Sequence, residues 1–505
     1  MEKTDIVRND STPGTLEELK KTVTVDTVHN DEALKVLARY AGSETWDPEE
    51  EKKVVRKIDR RLVTILCITY GLQYYDKAML SQAAIFGLRE DLQLTGNRYS
   101  FSASIFYLGF IVGSYPAILM AQRWPIERVA SGIVVVWGVC LMCTAACTNW
   151  QSLYAQRFFL GFLESGVSPM FMLVVGGWYR KGEQALRMGA WYCCTGYVSA
   201  VSPLINYGLG HITGGGLAPW QYMYLVAGAI TVVWAIVIYF VMPPDPIRAR
   251  GFSDRERYIA VARMRENNSG VRNTHFKAGQ VWESLLDIRF WLIFSIAFLM
   301  MIANGPVSSF IPIIIAGFGY SRLNSLLLVM PAGAIIGTIE ILAPLAAYKI
   351  PRARAYIIAI CQTGTIVGSC LLWLLPREQK GGLLFACYVL ASFGGGYAVT
   401  MGLQIANTAG YTKRSVTSSG IFVGYCLGNF VGPLLFKPED APSYAPGFIA
   451  VLITAVITAL LAIVYRFVCV WENKKRDKTG TLEGFEHAYE DDLTDMTNPQ
   501  FRYTL

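Results

Sequence analysis

The sequence predicts an all-α membrane protein, with twelve transmembrane helices in two pseudo-symmetric six-helix halves. Three observations carry that prediction. Apolar residues make up 53% of the 505 and charged residues only 16%, against about 25% charged in soluble domains. The apolar residues gather into twelve runs, each near the ~20 residues a helix needs to cross a bilayer. Landmarks also repeat at nearly one offset. The pattern basic-x-Pro-x-x-Arg, Arg123 to Arg128 after the second run, returns after the eighth as Lys349 to Arg354, 226 residues on. Arg180-Lys181 returns as Lys413-Arg414 after 233 residues, and Pro203 matches Pro433 after 230. Such duplication builds two parallel halves around a midplane site.

Residues 1–60 form an N-terminal tail, polar up to about residue 45 and without a signal-peptide core, so the first span is expected to serve as the targeting signal. Asp47 to Arg61 reads as a short amphipathic helix, acidic at its start and basic at its end. That order suits the helix dipole and brings the basic end to the headgroups. Residues 61–242 form the first half, with spans near 61–84, 99–121, 128–148, 152–176, 186–210 and 220–242. Residues 243–287 are a central loop. Ser253 and Glu256 have capping-box spacing there and predict a surface helix. The sequon Asn267-Asn268-Ser269 falls on the expected cytosolic side, where it would stay unused. Residues 288–471 form the second half, with spans near 288–316, 323–347, 353–375, 382–404, 416–436 and 446–470, and 472–505 a C-terminal tail.

Basic residues concentrate in alternate loops: Arg123 and Arg128, Arg180 and Lys181, the central loop, Lys349 with Arg354, Lys413 with Arg414. The positive-inside rule puts these loops and both termini in the cytosol. The net charge of +7 is therefore a topology signal, and no nucleic-acid partner is expected. The eleven cysteines lie in apolar runs and read as small buried residues; Cys140, Cys143 and Cys147 share a helix face, but no His or carboxylate joins them to make a metal site. There is no HExxH, Walker A or GxSxG motif. The chain reads as neither an enzyme nor an ATP-driven pump, with no cofactor and a proton gradient as the energy source.

Three spans carry ionisable residues inside their apolar runs: Asp76 and Lys77 in the first, Arg157 and Glu164 in the fourth, Glu340 in the eighth. A charge at the bilayer centre costs about 2.5–3.5 kcal/mol on insertion scales, so such residues usually have something to hold or move. Arg157 and Glu164 are seven residues apart, about two helical turns, and so share one stripe, which is expected to face a water-filled cavity. Counting about 1.5 Å per residue across a roughly 30 Å core puts Asp76, Lys77 and Arg157 at one depth in the outer third, with Glu164 nearer the midplane. Arg157 reads as the anion receptor, and Lys77 adds a point charge. Asp76 and Glu164 read as protonatable carboxylates: protonating one would release a nearby cation to a substrate anion. Structural readings stand beside these: Arg157 and Glu164 locking two helices, Asp76 and Lys77 neutralising each other near the interface.

The second half is less charged. Asn304 stands at the position matching Asp76, and the stretch matching Arg157, Ser392 to Gly396, carries no charge. Asn304, Ser308, Tyr388, Tyr425 and Asn429, with Ser309, are the candidate selectivity residues, each with helix packing as the plain alternative. Glu340 reads either as the partner of Lys349 or Arg352 in an inner gate, with Arg123, Arg128 and Arg354 at the matching loops, or as a snorkelling side chain. Tyr74, Tyr75, Trp178, Tyr179, Trp191 and Tyr192 read as belt or packing residues, with Trp191 a candidate to stack on a ring.

These residues resemble a known pattern. Over residues 55–475 the chain is similar to the major facilitator superfamily, in its anion:cation symporter branch. The Asp76-Lys77 pair and the Arg157…Glu164 spacing resemble those of its proton-coupled sugar-acid and organic-anion carriers, in which the acidic positions take part in proton coupling and the basic ones hold the anion. Lys77 departs from the Arg usual in the bacterial sugar-acid carriers. Asn407-Thr-Ala-Gly410-Tyr-Thr-Lys413-Arg414, with Gly424-Tyr-Cys-Leu-Gly428 and Glu439-Asp-Ala-Pro442 after it, looks like the fungal allantoate permease subfamily. The resemblance implies proton-coupled import of a small organic anion by alternating access: a ureido acid, pyridine carboxylate, vitamin acid or dipeptide. It also implies a monomer in the plasma membrane. Span five, Gly196 to Pro203, lacks the Gly-Pro pair of the drug:proton antiporters, which favours symport. The alternatives are antiport export of a secondary metabolite and a nutrient sensor with little transport, the latter disfavoured by the short tails.

Overall fold

The computed structural model describes residues 46–479, apart from 213, 244, 247–248, 250 and 266–276, together with 493–505. The sequon and the tail up to residue 45 lie outside the described residues. Among the described residues every regular element is helical. Nine helices there are long and apolar enough to cross a membrane. Three further spans expected from the sequence are also helical: Pro48–Ala83, Lys181–Tyr192 followed by Cys194–Leu209, and Tyr411–Leu434. They are the more polar ones, and each contributes to the wall of a central cavity.

The first helix corrects one expectation. Residues 47–61 are not a separate amphipathic helix but the opening turns of Pro48–Ala83. Asp47 caps it by accepting from the Glu49 N–H, Glu49, Glu50 and Glu51 fill the first turn, and no Gly or Pro interrupts the chain at Arg61. Val54, Ile58, Leu62 and Ile65 continue one buried stripe across the boundary. The central segment carries the helix Asp254–Arg265, opened by the reciprocal Ser253–Glu256 capping box. Ion pairs hold it to the first helix, Lys57 with Glu256 at 2.7 Å, Arg255 with Glu50 at 3.2 Å and buried Arg263 against Glu51, and Arg263 also reaches Glu183 at the start of span five.

Glycines set the tightest crossings. A Cβ at Gly161 would stand 1.9 Å from the Phe106 carbonyl, and one at Gly109 2.0 Å from that of Phe158. Span two (Arg98–Arg123) therefore lies backbone to backbone on span four (Trp150–Glu164 continuing as Val167–Trp178). Span five meets span eight (Arg322–Lys349) in the same way, with Gly196 against the Gly337 nitrogen and Gly333 against Ala200. Four spans break at similar positions along their length: after Glu164 in span four, at Cys193 in span five, at Ala303 in span seven and at Ala391-Ser392 in span ten.

Hydrogen bonds close the two halves together near the face opposite the chain termini. Tyr99 Oη donates to the Ser309 carbonyl at 2.6 Å, Ser100 Oγ to that of Phe436 at 3.0 Å, Ser104 Oγ to that of Phe430 at 2.7 Å, and Ser81 Oγ to that of Ser308 at 3.0 Å. Tyr99, Phe310, Phe436 and Tyr444 pack their rings over the same region. On the terminal face, residues 493–505 dock onto the second half. Thr504 and Asn407 exchange two hydrogen bonds, Tyr503 Oη donates to Asp495, and Asp495 pairs with Lys413 at 2.9 Å and Arg289 at 3.3 Å.

Candidate functional site

Between the halves lies a cavity of about 100 Å³. Its wall has a regular origin in sequence. Tyr74, Lys77, Ala78, Ser81 and Gln82 come from span one at helical spacing, and Tyr192, Thr195 and Ser199 from span five at intervals of three and four. The second half contributes Asn304 and Ser308 from the broken span seven, Glu340 from span eight and Tyr425 from span eleven.

Lys77 has no hydrogen-bond or ion-pair partner among the described residues. Its ammonium is held by rings, 4.8 Å from the centroid of Tyr74, 5.1 Å from Phe110 and 5.6 Å from Phe106. Such cation–π contacts keep the charge in place without neutralising it. One residue away, Asp76 points back into the first half. Asp76, Arg157 and Glu164 are 0%, 3% and 0% exposed, and together with Lys77 they interact as one electrostatic group. All four carboxylate oxygens of Asp76 and Glu164 are buried without a hydrogen-bond partner, as is Arg157 Nη1. Arg157 Nε donates to the Ser102 carbonyl at 3.3 Å, and its guanidinium stands 5.1 Å over Phe106.

The sequence expectation for the Arg157–Glu164 stripe is therefore corrected. The two do lie on one face, but that face is turned into the packing of spans one, two and four, and neither residue lines the cavity. The close crossing at Gly109 and Gly161 is the physical reason, since it leaves no water-filled space between spans two and four. Glu340 is corrected as well. It pairs with neither Lys349 nor Arg352; its Oε2 accepts from Thr195 Oγ1 at 2.6 Å in the cavity wall. Span eight runs nine residues past it to Lys349, about 13 Å of rise, so Glu340 stands well inside the protein. Tyr388 is half-buried and off the cavity, because the break at Ala391 turns its segment away. Trp191 is buried edge-on to Tyr70, 4.4 Å between centroids, while its neighbour Tyr192 reaches the cavity.

Of the remaining candidates, Asn304, Ser308 and Tyr425 reach the cavity. Asn429 stands one layer behind, its Oδ1 accepting from Asn304 Nδ2 at 2.6 Å. The four basic gate candidates do not meet across the halves. Arg123 and Lys349 are exposed, Arg128 stands 4.0 Å from Glu127, and Arg354 Nη1 donates to the Gly402 carbonyl at 3.3 Å within its own half. Sequence reasoning missed Ser81, Gln82, Thr195 and Ser199. Gln82 anchors a buried network, donating to Ser202 Oγ at 3.1 Å and accepting from Asn206, which in turn accepts from Tyr75 Oη at 3.0 Å.

Twelve helical spans in two halves around a central, partly polar cavity define a secondary-transporter architecture. The family model of the Major Facilitator Superfamily matches residues 66–433. An uncharacterised transporter of Schizosaccharomyces pombe is 36% identical over 91% of this chain and 90% of its own length. The allantoate permease of Saccharomyces cerevisiae is 33% identical over 94% of this chain and 90% of its own. Among solved structures, a bacterial homologue of the human lysosomal transporter Spinster superposes with a TM-score of 0.60, at 14% identity, covering 83% of this chain and 98% of that one. The chain belongs to the major facilitator superfamily, within its allantoate permease-like transporters. It is an integral membrane transporter.

Proposed function

We propose that the protein imports a small organic anion together with protons, by alternating access. The substrate class is a carboxylate such as a ureido acid, pyridine carboxylate, vitamin acid or dipeptide, and the proton gradient supplies the energy. The observation that carries this reading is Lys77, an ammonium in the cavity wall with no ion pair among the described residues, backed by the buried carboxyl groups of Asp76 and Glu164 that share its electrostatic group.

The residues divide the work. Lys77 draws a carboxylate into the cavity, while the rings of Tyr74 and Phe110 keep the ammonium oriented. Asp76 and Glu164, cut off from water, are the groups that take up and give back protons. An ionised carboxylate left there without a partner is costly, so their protonation is tied to the charges beside them. Arg157 is the fixed counter-charge behind the wall. With both carboxyls protonated, Lys77 and Arg157 present net positive charge to an anion; when the protons leave, the carboxylates compete for those cations and the anion is released. Asn304, Ser308 and Tyr425 contact the rest of the substrate. The closed end at Tyr99, Ser100 and Ser104 is the outer end on this reading, because the basic loops belong to the terminal, cytosolic face. The site works as a monomer in the plasma membrane.

The test is Lys77→Met, with Lys77→Arg beside it. Uptake of the carboxylate panel should fall by at least about tenfold in Lys77→Met, the loss of one charge-assisted contact of roughly 1.5–3 kcal/mol, at unchanged membrane abundance. Normal uptake would remove Lys77 from the site.

A further inference from the structure

The cavity wall carries two ionisable side chains of opposite type that form no ion pair with each other. Lys77 enters from span one and Glu340 from span eight, on different halves, and no ion pair joins either to any described residue. Each is held in place by a neutral device. Lys77 rests against aromatic rings. Glu340 is 7% exposed and accepts a hydrogen bond from Thr195. The backbone makes room for it: a Cβ at Gly394 would stand 3.0 Å from Glu340 Oε1. The break in span ten just before Phe393–Asn407 brings that glycine to the carboxylate. A carboxyl group kept within the membrane with the Thr195 hydroxyl and the Gly196 N–H beside it, and no cation among the described residues, is a ready acceptor for donors of a ligand.

Resting on the organic-anion reading above, we infer that the substrate is bipolar. Its carboxylate lies on Lys77 and its other end carries N–H groups, ammonium or ureido, that donate to Glu340. The ligand then bridges the two halves, with one charged anchor in each. That gives it a reason to draw the halves together, which a monopolar acid held by Lys77 alone lacks. Tyr74 and Tyr192 flank the space between the anchors. Thr195 is a positioning residue: it orients Glu340 toward the cavity.

Three acids of one chain length test this: butanoate, 4-aminobutanoate and 4-ureidobutanoate, measured by calorimetric binding to the purified full-length protein. At least one of the two N–H-bearing acids should bind about tenfold or more tightly than butanoate, equivalent to about 1.4 kcal/mol. Glu340→Gln keeps the acceptor for Thr195 and the side-chain volume; it should erase that preference. The inference is overturned if all three acids bind alike, if neither N–H-bearing acid binds, or if Glu340→Gln weakens all three by one common factor. Lys77→Met separates the two levels. If it abolishes binding of all three acids while they bind alike in the unmodified protein, the organic-anion reading stands and only the bipolar inference falls. If it leaves binding of every acid unchanged, the organic-anion reading falls.

Discussion

At the scale of single residues, the site is organised by what each charge is denied. Among the described residues Lys77 makes no ion pair, and no donor comes within close hydrogen-bonding distance of the Asp76 and Glu164 carboxylate oxygens. Arg157 has one donor engaged with Ser102 and one unengaged. Arg157→Lys is expected to be nearly as damaging as Arg157→Ala for transport. A lysine keeps the charge but lacks the planar fork that reaches the Ser102 carbonyl while lying over Phe106. Uptake close to normal in Arg157→Lys would show that only a point charge is needed. Gly161→Ala is a sharper structural test. Its new methyl meets the Phe106 carbonyl at 1.9 Å, backbone that cannot rotate away. Spans two and four must separate, at a cost of about 1–3 kcal/mol, seen as a lower melting temperature in detergent. An unchanged melting temperature would contradict the close crossing. Much of this was legible in the sequence: the charged residues within the spans stood out because hydrocarbon makes them expensive. Their direction did not. A stripe bearing Arg157 and Glu164 looks the same facing a cavity or a neighbouring helix, and the deciding signal lay on span two, where Gly109 and Gly113 admit a close partner.

At the scale of elements, the sequence reading located the helices well and their ends less well. The inner-gate reading of Glu340 fails because nine residues of helix separate it from Lys349 and its carboxylate meets Thr195 of span five instead. The cavity face of span five was overlooked because Thr195 and Ser199 are small and uncharged, and only their spacing from Tyr192 marks it. The terminal face of the second half carries a further element-scale prediction. Burial alone would push the Asp287 carboxyl up, but hydrogen bonds from Arg289 and the charge of Lys413 hold it below the usual carboxylate range. A depressed carboxylate adds stability above its unfolded value of about 3.9, lost as pH falls through the folded one. Asp287→Asn should therefore lower the melting temperature near neutrality, and the gap from the unmodified protein should hold down to about pH 4 and close only below it, as the pH falls through the folded value. A gap independent of pH would contradict the ion-pair account. Removal of residues 493–505 strips Asp495 from Lys413 and Arg289 and Thr504 from Asn407. It should destabilise the second half and leave the cavity residues in place, so that melting shifts while substrate affinity holds.

At the scale of the whole molecule, four inter-half hydrogen bonds gather at one end, and Thr195–Glu340 crosses the halves deeper, in the cavity wall. The seal opposite the termini rests on side chains of span two donating to backbone carbonyls of spans seven and eleven. These contacts are few and neutral, as suits an interface that must open. Tyr99→Phe removes the 2.6 Å bond to Ser309 and should shift the population toward an open outer end. A cysteine placed at Ser308 should then react faster with an impermeant thiol reagent from that side; equal rates in both backgrounds would mean that Tyr99 does not hold the seal. The duplicated landmarks foretold this two-half arrangement, because basic loops and proline positions survive duplication. The cavity chemistry was harder to read, since it is divided unequally between the halves: Lys77 and a buried charge cluster in one, Glu340 and amides in the other.

The central claim is that protons and anion move together through this cavity. Its most direct test is proton movement on adding carboxylates to proteoliposomes of known orientation, with Asp76→Asn and Glu164→Gln in parallel. The account predicts proton movement in the same direction as the anion, lost in either variant. Proton movement in the opposite direction, or co-movement that persists in both variants, would contradict it.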